Sequence, residues 1–164
     1  MPLIELIIDD SAVQRAFNAA PALTEQELER AIRRAIGLIG NTARSGAPEH
    51  HGILRNSIKI RYVKPLTGEV SSGVDYARMV EEGTGPGGRP PLQSISDWIK
   101  RKGMQPRDPS MDDRDLAFVI AQSIAMHGTS AQPYMQPALE KHRDSVIRLV
   151  DEAVDRALKR MRDA

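Results

Sequence analysis

The stretch Ile53-Leu54-Arg55-Asn56-Ser57-Ile58-Lys59-Ile60-Arg61-Tyr62-Val63 decides the class of fold. Ile58, Ile60 and Tyr62 alternate with Lys59, Arg61 and Val63, the period of two that turns one set of side chains to a core and the other to water. Pro65-Leu66-Thr67-Gly68 reads as a turn and residues 69–74 as a returning strand, so the region is a hairpin with one basic face. A short apolar β-type run at residues 2–8 is a ready neighbour for it. The expectation is a small antiparallel sheet of three to four strands.

Outward from the hairpin the patterns are helical. Thr24-Glu25-Gln26-Glu27 has the form of a capping box and opens a helix with Leu28, Ala31, Ile32, Ala35, Ile36 and Ile39 on one side, fading at residues 41–45. Ahead of it, residues 11–20 form a first helical segment ending at Pro21. Asp75 is placed to cap a short helix at 76–82. Residues 91–102 form a helix with Ile95, Trp98 and Ile99 inward, and residues 112–127 another, closed by Gly128. A long last helix, near 135–160, carries Leu139, Val146, Leu149, Val150, Ala153, Val154, Ala157 and Met161 on one side, with Pro137 tolerable only in its first turn. The polar side of that helix looks charge-balanced, with Asp151, Glu152 and Asp155 near Arg148, Arg156 and Lys159. The predicted architecture is α+β: helices packed on one face of a small antiparallel sheet, with a long C-terminal helix. Residues 1–164 read as one domain with mobile Gly/Pro-rich loops near 83–91 and 103–110.

Composition narrows function mostly by exclusion. With 27% charged and 40% apolar residues the chain is an ordinary folded domain rather than a disordered one. Twenty-three Lys and Arg against 22 Asp and Glu leave a net charge of +1, so no global field draws it to nucleic acid or an anionic membrane. The absence of cysteine removes disulfides, thiolate metal sites and a cysteine nucleophile, and fits a reducing cytosol. The apolar start, halted by Asp9-Asp10, is too short for a signal peptide or a membrane span, and synthesis in the cytoplasm is expected.

Few local motifs suggest chemistry. Gly83-Thr84-Gly85-Pro86-Gly87-Gly88 satisfies G-x-G-x-x-G, but a helix precedes it, prolines follow it, and no Lys-Ser or Lys-Thr completes a phosphate loop. Adjacent His50 and His51 point to opposite sides of an extended segment and do not make a metal site with Glu49, while His127 and His142 are far along the chain. No G-x-S-x-G elbow or H-E-x-x-H helix is present, so no catalytic residue, cofactor or metal is assigned. Between residues 43 and 64, Arg44, Arg55, Lys59, Arg61 and Lys64 face only Glu49 in opposition. That stripe is either a contact for DNA phosphates or a solvated strand face whose cations discourage edge pairing. Only 4% of residues are aromatic, which argues against base-stacking platforms.

Three segments carry a resemblance when taken in order: Ala47-Pro48 with Gly52-Ile53-Leu54-Arg55-Asn56-Ser57-Ile58, then Tyr76-Ala77 with Val80-Glu81-Glu82-Gly83-Thr84, then Ala131-Gln132-Pro133-Tyr134-Met135-Gln136-Pro137-Ala138-Leu139. Together they resemble the neck or tail-component proteins of long-tailed phages, the gene-product-ten type of lambdoid phages, related to the minor tail protein Z group. The chain departs from that pattern at His51, where a Thr often precedes the glycine, and in the extra helix and loop between 85 and 130. The resemblance implies a structural virion protein, encoded by a phage or prophage, which acts at the head-tail neck or in tail completion without catalysis. It further implies a ring-forming homo-oligomer that meets other head-tail connector or tail proteins, is assembled in the host cytoplasm and is carried in the virion. Arg55, Lys59, Arg61 and Lys64 are then candidate channel or subunit contacts. The alternative is a small DNA-binding protein using the basic hairpin.

Overall fold

The structure, a computed structural model, describes residues 11–48 and 52–163. The run at residues 2–8 and the Glu49-His50-His51 segment lie outside them. Contacts divide the chain into two compact units, residues 1–81 with 133–164 and residues 82–132.

The first unit is built on two long helices. A short helix α1, Ser11–Ala19, leads into α2, Pro21–Gly46. Pro21 opens α2 because its fixed φ suits the first helical position, where the missing amide is not needed. The expected capping box therefore does not form. Thr24 lies inside the first turn, its hydroxyl donates to the Ala16 carbonyl at 3.0 Å and ties α1 to α2, and Glu27 turns to arginines instead. Nor does α2 fade at 41–45: Gly40, Ala43 and Ala47 are buried, and packing outweighs the weak helix preference of Gly40 and Asn41. The other long helix is α7, Met135–Arg162, with Pro137 in its first turn as expected.

Helices α2 and α7 lie antiparallel. Leu28, Ala31 and Ala35 meet Val146, Leu149, Val150, Ala153 and Val154 in one cluster, and the opposite ends, Ala43 and Ala47 with Met135 and Ala138, join a second. The inward face expected of the last helix is largely the one observed. Leu139, however, is only half-buried and Met161 is exposed, near the end of the helix.

Between these helices the chain forms α3, Ile53–Ser57, strand β1, Ile58–Lys64, strand β2, Thr67–Ser72, and α4, Ala77–Glu82. Residues 53–57 are therefore helical, not the start of a strand. Gly52, at φ 66°, supplies the left-handed entry, and Leu54 and Ile58 are both buried on the second cluster. The hairpin pairs Ile58 with Ser72, Ile60 with Val70 and Arg61 with Glu69. Its tip holds Leu66 at φ 57°, a conformation that costs a branched residue about 1–2 kcal/mol. Two contacts offset this: the Leu66 side chain packs on the first core cluster, and its amide donates to the Tyr62 hydroxyl at 2.8 Å.

Among the described residues the sheet has two strands, and the run at residues 2–8 expected to extend it lies outside them. A helix covers one of its faces, as expected. Gly40 of α2 sits against Ile60 and Gly68 of β2 against Ile36, so closely that a Cβ at either would overlap the facing side chain. Glycine at both positions is what lets α2 approach the hairpin.

The second unit holds α5, Leu92–Lys102, and α6, Asp113–His127, packed on each other around Ile99, Ala117 and Ala121. Trp98 and Ile95 are half-buried. Here a capping box does form: the Asp112 carboxylate accepts from the amides of Arg114 and Asp115, and the Asp115 side chain accepts from the Asp112 amide. Gly128 closes α6 at φ 76°, and Thr84 pairs with Thr129 as an isolated antiparallel bridge. Within the 83–91 segment, the Gly87 amide donates to the Ala125 carbonyl and Arg89 stacks 4.8 Å from the Phe118 ring.

Candidate functional site

The three sequence segments that carried the resemblance come together at the second core cluster. Ala47, Leu54 and Ile58 from the first, Ala77 from the second, and Tyr134, Met135 and Ala138 from the third are all buried there with Ala43 of α2. Ser57 fastens the rim: its hydroxyl donates to the Leu54 carbonyl at 2.7 Å and shares a 2.7 Å hydrogen bond with the Ser72 hydroxyl. Burial raises the pKa of the Tyr134 hydroxyl above its ordinary value, against the opposing effect of Ser72. Tyr76 remains partly exposed at the edge.

Glu81 explains why the second and third segments occur together. Its carboxylate is buried, 8% exposed, and accepts from three successive amides at the start of α7. Oε2 receives Tyr134 at 2.8 Å and Met135 at 2.9 Å, and Oε1 receives Gln136 at 2.8 Å. Those amides have no partner within the helix, and the positive end of the helix dipole faces the carboxylate. One acidic side chain from α4 thus caps a helix that begins more than fifty residues later. Pro133 precedes this cap, and Pro137, lacking an amide, follows directly after the last residue that needs one. Gly83, at φ 75°, ends α4; a Cβ there would strike the Thr129 carbonyl and the Ala131 amide. Thr84 makes the bridge to Thr129.

The basic stripe comes apart on inspection of its members. Arg55 is half-buried on α3 rather than on a strand. Arg44 is engaged with the Ile58 carbonyl, at 2.8 Å from Nη2. Arg61 pairs across the hairpin with Glu69 at 3.0 Å. Lys59 is exposed on the outer face, and Lys64 ends β1. The stripe is thus partly a structural set, with Lys59 and Arg61 left on the outward face.

A denser cationic site lies where the sequence did not draw attention. Glu27 of α2 is 2% exposed, and its two oxygens meet three arginines: Oε1 accepts from Arg30 at 2.9 Å and forms an ion pair with Arg160 at 2.8 Å, and Oε2 accepts from Arg156 at 3.0 Å. Their side chains stay 45–55% exposed. With Arg34, Ala31 and Leu149 they line a recess of about 270 Å³ between α2 and α7. The signal available in the sequence was the i, i+4 spacing of Arg30 with Arg34 and of Arg156 with Arg160, which puts each pair on one helix face. Only the pairing of α2 with α7 reveals that the two faces converge.

The glycine-rich segment starts no helix at its last glycine, since α5 begins at Leu92. His142 is engaged by the Thr42 hydroxyl at 2.7 Å. Among the described residues no group of His, Asp and Glu side chains is arranged to hold a metal, and no helix is long and apolar enough to cross a membrane.

The described residues thus show buried packing, an interhelical carboxylate cap and a hairpin covered by α2. Residues 11–83 match the family model described as "Bacteriophage HK97-gp10, putative tail-component". The chain is similar to this phage tail-component family over that stretch, which runs from α1 to just past α4 and holds the first motif segment and all of the second except Thr84. No curated protein and no solved structure matches the chain.

Proposed function

We propose that the protein is a structural virion component acting at the head-tail neck or in tail completion, where copies assemble into a ring and dock on other head-tail connector or tail proteins. The observation that carries this reading is the fate of the motif residues: Leu54, Ile58, Ala77, Glu81, Tyr134 and Met135 hold the subunit together. A sequence pattern engaged in packing and capping suits a protein whose function is its shape and surface. The whole chain acts as one tail-component domain, and the loops near 83–91 and 103–110 gain protection against neighbouring subunits. Assembly takes place in the host cytoplasm and the product is carried in the virion.

The test is light scattering across a concentration series with negative-stain images of the largest species. Closed rings with a central channel are the expected result; a monomer at every concentration, alone and with the other tail proteins present, overturns the reading. Hydrogen exchange adds a check on the loops, whose protection rises on assembly.

A second reading rests on the exposure of Lys59 and Arg61: the outer face of the hairpin contacts DNA phosphates without reading sequence, either in a channel or as a free DNA-binding protein. Reversing Arg55, Lys59 and Arg61 to Glu then abolishes a salt-sensitive affinity for duplex DNA. No binding by the unmodified chain at low salt removes this reading.

A further inference from the structure

We infer that the arginine-walled recess between α2 and α7 receives the acidic segment 108–115 of a second copy of this chain, an inference that rests on the proposed self-assembly and assigns surfaces to it. The recess gathers Arg30, Arg34, Arg156 and Arg160 around a single buried carboxylate, Glu27. Glu152 also pairs with Arg156 at 3.5 Å, so four guanidinium groups against two carboxylates leave two surplus positive charges. Each guanidinium has five N–H donors, and Glu27 engages only Arg30, Arg156 and Arg160, so outward donors remain. Arg34 is exposed and, among the described residues, has no ion-pair partner. Gathering like charges at a recess is unfavourable unless an anion answers them.

The shape of the recess selects the kind of anion. About 270 Å³ is several times the roughly 30 Å³ that one water occupies in the liquid, so a bare ion would leave it mostly hydrated. Ala31 and Leu149 provide apolar wall beside the guanidinium groups. A carboxylate presented on a protein segment, with apolar atoms beside it, fits both features.

The chain carries such an anion in quantity. Segment 108–115 holds Asp108, Asp112, Asp113 and Asp115 against Arg114, a surplus of three negative charges, and all five are exposed. The helical end of the segment is also held in shape. The Asp112–Asp115 box fixes the start of α6, so Asp112, Asp113 and Asp115 lose little conformational freedom on docking, while the loop before them orders. Recess and segment are different surfaces, so their pairing between copies is head-to-tail, the kind of contact that closes into a ring or runs on as a filament.

Arg34→Glu and Asp113→Arg test this, since neither residue has an internal partner among the described residues and circular dichroism can verify that both variants fold. Light scattering of the unmodified chain, each single variant, and the double variant is compared at low salt. Each single reversal is expected to move the association midpoint about tenfold or more to higher concentration, and the double variant, with the charges exchanged, to recover most of it. Association by the unmodified chain that neither reversal weakens overturns the pairing and leaves self-assembly standing. An unmodified chain that never associates overturns both. Weakening by Arg34→Glu alone overturns the choice of occupant; a short DNA duplex retained by the unmodified chain and lost by that variant then identifies phosphate as the anion.

Discussion

Glu81 and Glu27 are both buried in the helical unit, and they are neutralised in opposite ways. Glu81 faces backbone: three amides at the head of α7 absorb its charge, and the site is closed and complete. Glu27 faces side chains: three half-exposed arginines converge on it, and the cluster carries more positive charge than it can cancel. The first arrangement fixes the position of one element against another. The second organises cations at the surface and leaves them available. Burial of an acid thus serves architecture at one end of the α2–α7 pair and presentation at the other.

The largest expected effect tests the closed site. Replacing Glu81 with Ala removes the acceptor of three buried or half-buried amides at once, which are left without water. A loss of about 3 kcal/mol or more of unfolding free energy follows, measured by urea denaturation. Glu81→Gln keeps one acceptor oxygen but brings an amide group toward amide donors, so it recovers only part of that loss. If Glu81→Ala costs less than about 1 kcal/mol, the carboxylate is not the element that seats α7, and the contrast with Glu27 collapses.

Glu27 is expected to matter less to stability, although it is the more deeply buried of the two. Its partners are guanidinium groups that can swing into solvent when the acid is removed, so no desolvated charge is stranded. Glu27→Gln should cost about 1–2 kcal/mol, and the loss should shrink as salt rises and screens the arginines from one another. An effect equal to that of Glu81→Ala, and insensitive to salt, would show that Glu27 is a structural acid of the same kind.

How much of this was legible in the sequence follows the same division. The long helices, the hairpin and the closing of α6 at Gly128 were readable because each depends on local pattern. The helical turn at 53–57 was missed because Ile53-Leu54-Arg55-Asn56-Ser57 joins an alternating run without a break, and only the left-handed Gly52 starts it. The capping box at Thr24 was misread because Pro21 offered an earlier start and Glu27 had stronger partners on α7, 129 and 133 residues away. Long-range ion pairs leave no local trace. That is why the arginine recess was invisible while Lys59, Arg61 and Lys64, which share β1, stood out as a stripe.

A third carboxylate sets the low end of the comparison. Glu69 lies across the hairpin from Arg61, with side chains 26% and 59% exposed, and Ser71 first and Arg61 next hold its pKa below the ordinary value of 4.5. A depressed folded-state pKa contributes stability that is present above pH 4.5 and is lost as the pH falls through the folded value. Because water and salt screen the pair, the contribution is about 0.5 kcal/mol. Comparing urea midpoints of the unmodified chain and Glu69→Gln from pH 7 to pH 3 isolates it from the other carboxylates: the gap between the two should be constant at neutral pH and close below pH 4.5. A gap that persists into acid would mean that Glu69 stabilises the hairpin by packing and hydrogen bonding to Ser71 in either protonation state. Charge would then matter in this molecule only where the structure concentrates it, at the two buried acids.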